Sequence, residues 1–346
     1  MRIGIDAQST IGSKTGIGYY AANLIEKLAK NPEINLHAYK DSKALDLSTL
    51  ARVKWENLRM PGLAKRDSLG ILHIPGFAGP IKKGNYKKIT TVHDLIGMIY
   101  PENLGIMSRL YWQRWLPMCV KNSDFIIADS VNTRNDIIRL LNIPEERIEV
   151  VYLAVDSIYK PLTNAGQDVL NSYGIRGDYI LNVGTVEPRK NIPALIEAFS
   201  RCLKELSRDD LFLVIVGKKA WGYEDCVKMT QKYSIKEKIV FCDYARQVDM
   251  PLLYNGAEAF VYPSLYEGFG LPVLEAMSCG IPVVCSDVSS VPEIAGEAGY
   301  YFDPNHKDSM LKALVTALND PGLRESLSKK SLERARIFSW DKTVKE

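Results

Sequence analysis

Short apolar runs alternate with amphipathic stretches from one end of the chain to the other. The runs at Met1–Asp6, Ile34–Tyr39, Ile71–Ile74, Lys88–Val92, Phe125–Ala128 and Ile148–Tyr152 form one series. Tyr179–Val183, Leu211–Val216, Ile239–Cys242, Ala259–Tyr262 and Pro282–Cys285 form a second. Most are apolar throughout rather than alternating, as strands covered on both faces must be, and this predicts parallel sheets. Between them, Tyr20–Lys30, Val131–Leu141, Ile192–Glu205, Val248–Tyr254 and Asp308–Leu318 carry apolar residues at helical spacing. Strand–helix alternation over the whole length predicts an α/β protein of two doubly wound domains facing a central cleft. Ligands are then expected at the carboxyl ends of the strands. The Pro/Asn/Gly-containing stretch from Lys160 to Gly166 has no periodicity, so the domains are expected to divide as 1–162 and 163–335.

Composition agrees with this picture and narrows it. A length of 346 residues suits about two domains, and 46% hydrophobic with 25% charged residues describes an ordinary globular chain. No apolar run reaches the roughly 18 residues of a spanning helix. Asp6 interrupts what would be the apolar region of a secretory signal. The cysteines (Cys119, Cys202, Cys226, Cys242, Cys279, Cys285) include no C-x-x-C pair and no metal-ligand spacing with the histidines. Buried free thiols in a reducing cytoplasm are the expectation. A net charge of +3 argues against a nucleic-acid binder, which needs many phosphate-neutralising side chains. The total hides an asymmetry, because residues 1–160 carry 22 basic and 16 acidic side chains and residues 161–346 carry 22 and 25.

Four segments at predicted strand ends carry candidate chemistry. Gly12, Gly16 and Gly18 lie between the first strand and a helix expected from Tyr19. They either let backbone amides approach an anion or simply form a flexible connection. In the second half, Gly184-Thr185 ends a strand, and Arg189-Lys190 precede a helix at Ile192. Two cations at a helix N-terminus are unfavourable unless an anion compensates them, so a bound phosphate is one reading and a solvated basic cap the other. The richest segment runs from Tyr262 to Met277. Glu267 stands on its glycine-containing loop with Gly268, Phe269 and Gly270, Leu271-Pro272 open a helix, and Glu275 lies one turn inside it. His93-Asp94 ends another strand, where a histidine can be catalytic or structural.

These residues together resemble the retaining glycosyltransferases of family 4. Glu267 and Glu275 match their E-x7-E signature. The likeness extends through the Gly16/Gly18 loop, HDL at His93–Leu95, GTVEPRKN at 184–191 and GIPVVCSDVSSVPEIAGEAG at 280–299. The resemblance implies the GT-B architecture of two Rossmann-like domains, with residues 336–346 beginning a helix that crosses back to the first. It implies that Arg189 and Lys190 bind the donor diphosphate in place of a metal, and that Glu275 accepts from ribose hydroxyls. Glu267, with Gly268, Phe269, Gly270 and Leu271, would hold the transferred sugar; His93 would contact it; Gly16, Gly18 and Gly184 would adjoin the phosphates. Thr185 departs from the arginine many members carry there, which removes one phosphate contact or moves it elsewhere. The GTVEPRKN form is similar to the mannosyltransferases of bacterial surface polysaccharides. A GDP-mannose donor, a saccharide or lipid-linked saccharide acceptor, and no cofactor or metal are the resulting expectations. Another enzyme of the same fold (an epimerase or a phosphorylase) and a UDP-sugar-dependent glucosyl or GlcNAc transferase are the alternatives.

Between Arg52 and Lys121 there are 12 basic and 4 acidic residues. Within that span, Met107–Met118 mixes Tyr111, Trp112 and Trp115 with Arg109 and Arg114. The tryptophans are expected to pack inside, and the basic surface to touch anionic lipid on the inner face of the cytoplasmic membrane.

Overall fold

The computed structural model describes residues 1–12, 16–41, 49–76, 78–163 and 166–346. The chain forms two compact units, Met1–Leu153 with Ser339–Glu346, and Ala154–Phe338. Among the described residues, each is built on a six-stranded sheet whose strands pair in parallel.

In the first unit the strands are β1 (Arg2–Asp6), β2 (Asn35–Tyr39), β3 (Ile71–Ile74), β4 (Lys87–Val92), β5 (Phe125–Ala128) and β6 (Ile148–Val150), in the order β2-β1-β3-β4-β5-β6. Helices Gly16–Leu28 and Val131–Leu141 follow β1 and β5. One apolar layer joins Val92, Leu116, Val120, Ile126, Ile137 and Leu141, and another joins Tyr39, Trp55, Met60, Leu72 and Ile74. The chain returns to this unit at its end: helix Trp340–Lys345 is tied down by Thr343, whose hydroxyl donates to the Tyr152 carbonyl at 2.7 Å, and by the Lys27–Asp341 ion pair at 2.6 Å.

The second unit contains β7 (Tyr179–Val183), β8 (Phe212–Val216), β9 (Ile239–Cys242), β10 (Ala259–Tyr262), β11 (Val283–Ser286) and β12 (Gly299–Phe302), ordered β12-β11-β10-β7-β8-β9. Counted within the unit this is the Rossmann order 3-2-1-4-5-6, with its reversal between β7 and β10. Helix Ile192–Leu206 buries the stripe Leu195, Ile196, Phe199, Cys202 and Leu203 against the sheet, the spacing an amphipathic helix requires. Strands β10 and β11 are buried along their whole length, which is why they read as unbroken apolar runs.

Two expectations need correction. The helix after β1 begins at Gly16 rather than Tyr19, so Gly16 and Gly18 lie in its first turn; residues 13–15 of that glycine segment lie outside the described residues. The residues just before 162 belong to the second unit and not the first. Tyr159 packs edge-on against Tyr254 at 5.9 Å, and the Leu162 amide donates to Asn255 at 2.8 Å. These contacts outweigh the sequence break at Lys160–Gly166, of which 164 and 165 lie outside the described residues.

Candidate functional site

The site of the second unit lies where β7 and β10 end side by side, at the reversal of strand order, the place where open α/β sheets hold ligands. Gly184 follows β7, and a Cβ on Gly217, which follows β8, would come within 2.0 Å of the Gly184 carbonyl oxygen. Glycine at 217 therefore allows the two strand ends to approach. Pro188–Lys190 make one tight turn, and Asn191, left-handed at φ 55°, turns the chain into helix Ile192–Leu206. From the other side, the loop after Tyr262 carries Glu267 and ends at Gly270, whose φ of 100° sets the entry to helix Leu271–Ser278. A hydrogen bond from the Leu265 amide to the Arg189 carbonyl, 2.7 Å, ties the two loops together.

This geometry brings the predicted cations onto Glu267. Lys190 Nζ lies 2.6 Å and Arg189 Nη1 2.8 Å from Glu267 Oε1. Lys190 also donates to the Tyr262 hydroxyl at 2.8 Å and sits 4.9 Å from the centre of that ring. Arg189 Nε pairs with Glu187 at 2.6 Å, and its Nη1 donates to the Tyr266 carbonyl at 3.0 Å. Lys190 and Glu267 are each only 7% exposed. Burial alone would raise the Glu267 carboxyl, but Lys190 and Arg189 outweigh it and hold it at about 2. Burial pulls the Lys190 ammonium below its ordinary range against the opposing pull of Glu267. The anion required by two cations at a helix N-terminus is thus supplied from within the chain.

Around that pair, Glu267 is fixed by its backbone. Its amide donates to Ser289 Oγ at 2.9 Å, and Ser290 Oγ lies 3.0 Å from the Glu267 carbonyl and 2.9 Å from that of Phe269. Phe269 is buried edge-on against Phe338 at 6.0 Å. Glu275, one turn into its helix, accepts from the Tyr254 hydroxyl at 2.6 Å. Burial raises its carboxyl, while the hydroxyls of Tyr254 and Tyr159 pull the other way. Among the described residues, no three His, Cys, Asp or Glu side chains gather as metal ligands.

His93, Gly16 and Gly18 belong to the first unit, and the other predicted site residues to the second. His93 follows β4; its Nε2 donates to the Pro75 carbonyl at 2.8 Å, and its Nδ1 meets Asp129 Oδ2 at 2.5 Å. Burial would lower its pKa, but Asp129 outweighs burial and raises it. Both ring nitrogens are therefore occupied within the chain. Asp129 follows β5, one strand over from His93, and a polar residue just after the run Phe125–Ala128 is the sequence signal that locates it. Tyr254 and Tyr159 carry no motif signal, whereas Tyr262, Glu187 and Ser289 lie within the motifs of the sequence without a role assigned to them there.

A parallel two-domain α/β fold with these motifs at its strand ends is that of the GT-B glycosyltransferases. Residues 15–157 match the family model for Glycosyltransferase Family 4, and residues 173–334 match that for Glycosyl transferases group 1. O-antigen chain mannosyltransferase B of Escherichia coli is 34% identical, over 94% of this chain and 93% of its own length. The chain belongs to glycosyltransferase family 4 and is a glycosyltransferase. Among solved structures, sucrose-phosphate synthase from Thermosynechococcus elongatus superposes with a TM-score of 0.78 at 18% identity, covering 99% of this chain and 96% of that one. Anabaena HepE in complex with UDP-glucose gives 0.76 at 16% identity, covering 100% and 97%. These two share the fold.

Proposed function

We propose that the protein transfers mannose from GDP-mannose, with retention of configuration, to a saccharide or lipid-linked saccharide in polysaccharide biosynthesis. The observation that carries this reading is that Arg189 and buried Lys190 both pair with the buried Glu267 at the strand reversal. The full-length likeness to an O-antigen mannosyltransferase supports the choice of sugar. Arg189 and Lys190 pass from Glu267 to the donor diphosphate, where a planar fork and a point charge neutralise the leaving group. The C1–O bond to that phosphate breaks as the acceptor oxygen bonds to C1 on the same face. The acceptor proton goes to the departing phosphate oxygen. Glu267, relieved of its cations, stabilises positive charge on the sugar ring; Glu275 accepts from the ribose hydroxyls; and Gly184, Thr185 and the amides of Gly268–Leu271 line the donor.

No metal takes part in this reading, because the two cations carry the charge that a divalent ion would. Incubation with GDP-[14C]mannose, membrane lipid extract and EDTA should label the lipid-linked fraction at the rate seen without EDTA. Strict dependence on added Mg2+ or Mn2+ would overturn metal independence, and labelling from UDP-sugars alone would overturn the donor.

The proposed membrane contact falls on the first unit. Trp112 and Trp115 pack against the first unit's core, so they are not the contact. The continuous helix from Ile106 to Lys121 instead leaves Ile106, Met107, Leu110 and Met118 exposed, Ile106 to 87%, beside exposed Arg109 and Arg114. Apolar side chains among cations suit an anionic bilayer surface. No helix among the described residues is long and apolar enough to cross a membrane. The wild type should float with phosphatidylglycerol vesicles at low salt, and an Ile106→Glu/Leu110→Glu variant should stay in the soluble fraction. Equal flotation of both would reject this face.

A further inference from the structure

Among the described residues, no cation pairs with Glu275. Its facing groups are the hydroxyls of Tyr254 and Tyr159, with Cys279 one turn along the same helix. Neither tyrosine belongs to the segment that carries Glu275. Tyr254 comes from helix Met250–Asn255 and is fully buried, and its hydroxyl lies 2.6 Å from Glu275 Oε2. Tyr159 comes from the stretch that follows the unit boundary at Leu153; its ring packs on Tyr254 and its hydroxyl is within the electrostatic influence of Glu275. The stretch is anchored there. Asn255 Nδ2 donates to the Lys160 carbonyl at 3.0 Å, and Asn255 Oδ1 accepts from the Leu162 amide at 2.8 Å. The two tyrosine rings meet edge to face at 5.9 Å, and Tyr254 also lies against Phe260 at 5.6 Å.

A carboxylate offers about four acceptor positions. Two tyrosine hydroxyls fix its rotamer and leave acceptor capacity for a ligand's hydroxyls. A free carboxylate on a helix would sample several rotamers, and each ordered side chain has to be held by its neighbours.

We propose that Tyr159 and Tyr254 are positioning residues for donor binding: their hydroxyls clamp the Glu275 carboxylate in the orientation that accepts from the donor's hydroxyl groups. This rests on the reading of Glu275 as a donor contact. Tyr159 thereby makes the opening segment of the second unit part of that unit's donor site.

The pair also sets how Glu275 responds to acid. Burial raises its carboxyl, and each tyrosine hydroxyl favours the ionised form and lowers it. Removing a hydroxyl must therefore raise it further, so that on acidification the acceptor is lost at a higher pH. Asp156 lies within electrostatic reach of Tyr159 and stays in place in every variant.

The test is calorimetric titration of GDP into the wild type, Tyr159→Phe, Tyr254→Phe, Glu275→Gln and Tyr254→Phe/Glu275→Gln, each from pH 5 to pH 9. Phenylalanine keeps both rings, so packing survives. If Tyr254→Phe does not fold, Tyr159→Phe carries the test by itself. Each single tyrosine variant should bind GDP about tenfold more weakly at pH 6, with its acid limb displaced upward by roughly one pH unit. Glu275→Gln should bind weakly with no such limb, and the double variant should match it. Tyrosine variants whose limb coincides with the wild type's, beside a Glu275→Gln that does lose affinity, would overturn the positioning role alone. A Glu275→Gln that binds GDP like the wild type with the same pH profile would remove Glu275 from the donor site, and the proposal with it.

Discussion

Lys190→Ala should be close to inactive, with kcat/KM down by at least about 10²–10³, the scale of losing one electrostatic contact to a developing anion. It should also be less stable. The ammonium is buried, 2.6 Å from Glu267 and 2.8 Å from the Tyr262 hydroxyl, and an alanine leaves Arg189 as the cation on the carboxylate. Breaking a buried ion pair on one side costs about 3–5 kcal/mol, because the surviving charge stays desolvated. Stability and activity can be separated. A Lys190→Ala/Glu267→Gln variant removes both charges and should regain most of the lost melting temperature while remaining inactive. A Lys190→Ala enzyme with wild-type turnover would remove the cation from the mechanism.

Glu267→Gln should produce the opposite pattern in binding. In the structure Glu267 occupies both cations, so a diphosphate must compete with it. The amide keeps the shape and releases the cations: GDP should bind as tightly as to the wild type or more tightly, while kcat falls by about 10²-fold or more. The pH dependence of folding supplies an independent check. The carboxyl is held at about 2 against an ordinary value of 4.5, so the folded state favours ionised Glu267. Its contribution is then fully present above pH 4.5 and lost as pH falls toward 2. The melting temperature of the wild type should accordingly drop more steeply through that window than that of Glu267→Gln. Weaker GDP binding with unchanged kcat would contradict the competition.

Parallel, doubly covered strands leave long apolar runs, and eleven of the twelve strands are legible from them. The missing one, Gly299–Phe302, starts with a glycine and carries two half-buried tyrosines at the sheet edge, so it lacks that signature. Arg189 and Lys190 are legible because two cations at a helix start are costly without an anion, Glu267 because it stands on a glycine-containing loop after a strand, and Glu275 through its E-x7-E spacing from Glu267. What was hidden is which partner each takes. Two cations at a helix start call for an anion, and the chain supplies Glu267 across 77 residues of sequence. The same holds for His93 with Asp129 and for Glu275 with Tyr159 and Tyr254. Pairing between strand ends is set by sheet order, which spacing along the chain does not express.

The most direct test of a nucleotide-sugar site on Arg189, Lys190 and Glu267 is thermal melting of the wild type and Lys190→Ala with GDP-mannose, UDP-glucose, dTDP-glucose and ADP-glucose. A donor at 100 times its Kd adds about 2.7 kcal/mol of stability. GDP-mannose should raise the wild-type melting temperature most, and none of the four should move that of Lys190→Ala. A wild type that no nucleotide sugar stabilises, or a Lys190→Ala variant stabilised as much as the wild type, would contradict the assignment.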